Sequence, residues 1–172
     1  MNQLLSVRAK RERLEKMNMV IGTFFSEVGT TLLVRLSDRD PNLPSIKEDL
    51  VVGNDWSDAD FARVRTRLEG YSSGVTIDPA ELVVLKEYLM KKRNFLLRLL
   101  ENPMLLEHGP FTEVLRAVFH LTDELDRRDD LAGNPERDPQ APFRPDQPCL
   151  RLMALFWLDS SNCPGLTYCH AS

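Results

Sequence analysis

Glycine is scarce in this chain, with eight residues in 172, and aromatic side chains make up only 8%. Nor do β-branched residues alternate with polar ones over any long run. A sheet is built on that alternation, so these absences favour helices. Cysteine is missing until late: Cys149, Cys163 and Cys169 all fall in the last 24 residues. An odd, clustered set of this kind is not a disulfide framework, and a reducing cytoplasm is the expected compartment. Positive charge is not in excess either. The 22 Lys and Arg against 26 Asp and Glu leave a net −4, which excludes a generally basic nucleic-acid binder. No Walker loop, dinucleotide fingerprint, nucleophile elbow or Glu-x-x-His pair is present, so no cofactor, bound metal or catalytic residue is expected.

What is present suits one domain with a sizeable core: 42% apolar and 28% charged residues. The first 16 residues, MNQLLSVRAKRERLEK, carry five basic and two acidic side chains, with no apolar region of a secretory signal directly behind the first charges. The next stretch, MNMVIGTFFSEVGTTLLV (17–34), holds a single charge, Glu27. It is near the lower length limit for crossing a bilayer. Polar dilution and a mid-span acid, which costs about 2.5–3.5 kcal/mol on insertion scales, point instead to a buried helix of a soluble bundle. The basic run before it keeps membrane proximity as the alternative.

Helical spacing predicts one long helix over residues 4–36, with Met17, Ile21, Phe24, Phe25, Val28 and Leu32 on one face. Gly22, Ser26 and Gly29 form a small opposite side that would admit another helix, and a kink is expected near either glycine. Pro41 and Pro44 open a connector, with a short helix around 45–51. Ser57 and Asp60 are spaced as a capping box for a helix over 57–70, with Gly70 where it stops. Asp78, Pro79 and Glu81 start a helix over 78–101 whose leucines 82, 85, 89, 96 and 99 keep a 3–4 spacing. Another helix is expected over 110–128. Residues 129–148 hold five of the eleven prolines and read as a linker. A tail over 149–172, with one apolar patch that suits a short docking helix, completes the domain plan.

Two of the three histidines lie in ENPMLLEHGPFTEVLRAVFHLTDELDRR (101–128). On a helical wheel Phe111, Val114, Val118, Leu121 and Leu125 gather on one side. His120 falls opposite, among Glu113, Arg116, Asp123, Glu124 and Arg127. Interleaved arginines would repel a cation, so this is a solvated face rather than a metal site. His108 sits in a turn, where a capping role is expected. The candidate buried polar site is Glu27 with His108. Glu27 lies at the shoulder of the apolar stripe and needs a partner such as Lys92 or Arg98 if buried. Lys91, Lys92, Arg93 and Arg98 form a basic patch for an acidic partner or a phosphate, or a solvated helix face. Cys163, Cys169 and His170 have the wrong spacing for a usual zinc site.

The segments EKMNMVIGTFFSEVGTTLL (15–33) and ENPMLLEHGPFTEVLRAVFHLTDEL (101–125) resemble an uncharacterised prokaryotic family of small helical proteins, over about residues 10–128. Some members are similar to cytosolic domains that follow a membrane segment. The resemblance implies no activity, cofactor or catalytic residue. It implies a further regular helix after residue 130, where the present tail departs from the pattern as a truncated or frame-shifted C-terminus would.

The fold expected is therefore all-α, a bundle of four or five helices. The function expected is a non-enzymatic cytoplasmic interaction or regulatory domain, acting through self-association or a protein partner along residues 4–36 or 78–101. The alternative is a metal- or small-ligand-binding bundle, including an enzyme, built on an inward Glu27. Nucleic acid is the least expected partner.

Overall fold

A computed structural model describes residues 2–47, 56–131, 143–145 and 148–161. It is all-α. The first helix, α1 (Asn2–Phe24), passes through a π-helical turn (Phe25–Gly29) into α2 (Thr30–Ser37). Then follow α3 (Pro44–Lys47), α4 (Asp58–Glu69), α5 (Pro79–Leu100), α6 (Pro103–Leu106), α7 (Gly109–Leu131) and α8 (Pro148–Ser161). The short helix expected over 45–51 is present as α3, and positions 48–51 lie outside the described residues.

Local signals set most of these boundaries. Ser57 and Asp60 form the capping box of α4: the Asp60 N–H donates to Ser57 Oγ (3.4 Å) and the Ser57 N–H to Asp60 Oδ2 (2.9 Å). Asp78 caps α5 by accepting from the Glu81 N–H at 2.9 Å, with Pro79 in the first turn. The reciprocal half of the expected box at α5 is absent. Glu81 turns its carboxylate to Arg35 of α2 instead, tying the two helices together.

The expected kink is a π turn between the two glycines. The Thr30 N–H donates to the Phe25 carbonyl, five residues back. The wider turn brings Phe25 into the core beside its neighbour Phe24, with Val28 and Gly29. Phe24 meets Phe25 edge-on at 5.2 Å and Phe111 at 5.3 Å, and Phe156 stacks on Phe25 at 5.9 Å. Gly29 is small for this reason: a Cβ there would lie 2.6 Å from Phe25 Cδ1. Gly29 makes room for rings of its own helix, and Ser26 faces solvent.

One core collects the buried faces of the π turn, α2, α5 and α7, including Leu85, Leu89, Leu96 and Leu99 and the whole predicted stripe of 111–125. A second cluster joins Ile46, Val64, Leu68 and Leu158. Helix α8 reaches both. Cys149, Leu150, Met153 and Phe156 enter the first cluster, and Leu158 enters the second with Ala154 and Leu155 beside it. The stretch expected as a linker and tail thus supplies a central helix. Phe143, within the proline-rich stretch, is fully buried and exchanges both backbone hydrogen bonds with Ile77 (2.8 and 2.9 Å). Arg128 covers its ring at 4.1 Å. Cys163, Cys169 and His170 lie outside the described residues.

Candidate functional site

Glu27 leaves the core rather than entering it. A wheel with the pitch of an α-helix does not hold across the π turn, and the side chain of Glu27 remains 50% exposed. Its carboxylate accepts from Lys92 Nζ of α5 at 2.7 Å. That contact holds the Lys92 ammonium above its ordinary value. The backbone of Glu27 is used as well: Tyr88 Oη donates to its carbonyl at 2.8 Å. The turn is therefore clamped to α5 by one hydroxyl and one ion pair. The expected buried site at Glu27 is corrected to a surface clamp.

His108 lies at the other side of that expectation. Its Nδ1 accepts from the Phe111 N–H at 3.2 Å, and its carbonyl accepts from the Thr112 N–H at 3.0 Å. Its ring meets Phe156 edge-on at 5.7 Å. It caps α7 and packs on α8, and no hydrogen bond or ion pair joins it to Glu27. His120 is exposed, and Arg116 pairs with Glu113 at 3.1 Å on the same solvated face. Among the described residues, no group of three or more His, Cys, Asp or Glu side chains is placed to hold a metal ion.

The basic patch divides. Lys92 is engaged with Glu27, and Arg93 reaches Asp123 of α7 at 3.5 Å and covers the Phe119 ring at 5.5 Å. Lys91 and Arg98 are exposed. Two members thus tie α5 to different neighbours, the π turn and α7, so the four side chains do not form one binding surface.

Spacing arguments missed a buried carboxylate. Asp40 is 5% exposed. Its Oδ2 accepts from Tyr71 Oη at 2.6 Å, and its Oδ1 accepts from the Asn42 and Gly74 N–H groups, each at 3.0 Å. Burial pushes this carboxyl upward, but the donors outweigh it and leave the group below its ordinary value. Burial, then the hydrogen bond to Asp40, raises the Tyr71 phenol. The pair fastens the connector after α2 to the chain leaving α4. Only an acid directly before Pro41 hinted at it; its partner is 31 residues away.

A groove of about 340 Å³ opens between α2, α3, α4 and α8, lined by Leu33, Leu43, Ile46, Leu68 and Trp157 and edged by Asp38 and Lys47. The other open surface is the N-terminal half of α1. Residues 6–16 are exposed on every side, Val7 by 65% and Leu14 by 46%. Within it Arg8 pairs with Glu12 (3.3 Å) and Arg11 with Glu15 (3.0 Å). Its recorded tie to the bundle is Arg13 to Glu107 at 3.2 Å. The helix Ser6–Ser37 is long and apolar enough, by length and composition, to cross a membrane. Ile21, Phe24, Phe25, Val28, Leu32 and Leu36 of this span are buried in the core, whereas Met19 and Val34 stand in solvent at 72% and 54% exposure.

These features define an all-α helical domain held by aromatic packing and interhelical ion pairs. The chain belongs to the family described as "Uncharacterized protein MJ1433, C-terminal helical domain", which matches residues 13–160. The match runs through α8, so the helix after the proline-rich stretch lies within the family's domain. The chain is similar to the uncharacterized protein MJ1433 of Methanocaldococcus jannaschii, at 43% identity over 136 residues, 79% of this chain and 54% of the relative. The chain thus spans about half the length of that relative. No solved structure shows a significant match.

Proposed function

We propose that this chain is a non-enzymatic cytoplasmic interaction or regulatory domain that works by helix-face recognition. The observation that carries the reading is the projecting half of α1. Its residues 6–16 stay helical without a supporting core and present Val7 and Leu14 to solvent. Of the two helices whose patterns offered such a surface, α5 sends Leu85, Leu89, Leu96 and Leu99 into the core, whereas residues 6–16 of α1 bury nothing. The ligand-binding alternative required an inward Glu27, and that side chain is half in water and paired with Lys92. The basic residues 8–16 support membrane proximity as a secondary feature of the same helix.

Native mass spectrometry of gently purified protein tests the reading. An oligomer or protein complex with no extra small mass is the expected result. A stoichiometric metal or small-molecule adduct on a monomer would overturn it.

A further inference from the structure

We infer that the projecting half of α1 pairs with the same segment of a second copy of this chain, in a parallel two-stranded coiled coil centred on Val7, Arg11 and Leu14. The inference rests on the interaction-domain reading and names the partner.

Val7 and Leu14 are seven residues apart, and Arg11 stands four after the first and three before the second. That is the spacing of a coiled-coil seam, and in sequence it extends back to Leu4. At roughly 100° per residue, this stripe is turned by about a right angle from the Met17, Val20 and Phe24 face that enters the bundle. Arg13, on the bundle side, reaches Glu107 and marks that orientation. The stripe is therefore a second apolar surface and not an extension of the core face.

The charged neighbours fit a like copy. Arg11 would place a charge in the seam, but its guanidinium is drawn to Glu15 at 3.0 Å, which leaves the aliphatic stem for contact. Lys10 and Glu15 occupy the flanking positions that face each other between chains five residues apart in a parallel pair. Lys10 of one copy then meets Glu15 of the other, twice by symmetry. An antiparallel pair loses that match.

Sedimentation equilibrium on the full chain, from low micromolar to several hundred micromolar, reads this directly. The expected result is a reversible dimer that Leu14→Asp weakens on the order of tenfold or more. At concentrations where the parent chain is monomeric, the melting temperature stays unchanged, because Leu14 lies outside both core clusters. In a Cys163→Ser, Cys169→Ser background, Val7→Cys should cross-link two chains under mild oxidation, and Lys10→Cys should not. A monomer throughout, a dimer indifferent to Leu14→Asp, or a monomer that instead binds phosphatidylserine vesicles would overturn the inference. A metal or small-molecule adduct on that monomer would overturn the interaction-domain reading too; its absence would remove only the second copy.

Discussion

The two halves of the N-terminal rod are continuous in backbone and opposite in what maintains them. From Ile21 onward, every turn of the rod buries side chains at 1% exposure or less, among them Phe24, Val28, Leu32 and Leu36. Across residues 6–16 nothing is buried. That half is held by good helix formers, by Arg8–Glu12 and Arg11–Glu15 pairs, and by its continuity with a packed helix. Helicity therefore says little about packing: local preference carries the helix well past the point where the core ends. The exposed half is the part of the rod on which the proposed recognition rests.

The contrast is broken most strongly at Phe24. Phe24→Ala should cost about 3–5 kcal/mol in urea unfolding, since the ring is fully buried against those of Phe25 and Phe111. Val7→Ala in the other half should stay within about 0.5 kcal/mol. Equal losses would show that the first half is packed in solution.

The π turn inside the packed half is the next place to press. Gly29→Ala forces a Cβ to 2.6 Å from Phe25 Cδ1, an overpacking cost of about 1–3 kcal/mol. The better helix propensity of alanine offsets up to about 1 kcal/mol of it. A net loss by thermal denaturation is expected, against the gain alanine gives at an open helical site.

Asp40 sharpens the comparison beyond the rod, because it fastens the end of the packed half. Asp40→Asn should lower stability by about 1–3 kcal/mol by weakening three part-buried hydrogen bonds. The folded-state carboxyl lies below its ordinary value of 3.8. Its contribution is thus fully present above that value and is lost as pH falls through the lower folded value. Acid titration of unfolding should show this slope in the parent protein, and a shallower one in the variant, where Asp60 and Asp78 still contribute.

The smallest effects belong to the surface positions. His108→Ala should cost about 1 kcal/mol through the lost cap of α7. Lys92→Ala should leave the melting temperature within experimental error, because its partner Glu27 is half in water. A large drop there would show a desolvated pair and revive an inward Glu27.

Much of this architecture was legible residue by residue. The cap at Asp78, the box of Ser57 and Asp60 and the stop at Gly70 act within a few positions of themselves, so spacing reveals them. The stripe of Phe111, Val114, Val118, Leu121 and Leu125 obeys one helical period and is buried as that period requires. The long rod, its interruption near the glycines and the solvated face of His120 follow from the same local rules.

Only the tertiary structure decided the rest. Phe24 and Phe25 are adjacent, and which ring each meets, Phe111 of α7 or Phe156 of α8, was set only when the helices packed. The π turn carries Glu27 out to Lys92, so a wheel of constant pitch misplaced it. Asp40 and Tyr71, Ile77 and Phe143, and α8 between two clusters join residues distant in the chain. The sequence by itself determined where helices begin, end and turn apolar, because those signals reach about one helical turn. Which faces meet, and which acid is buried, depends on shape and hydrogen-bond partners brought together only by folding.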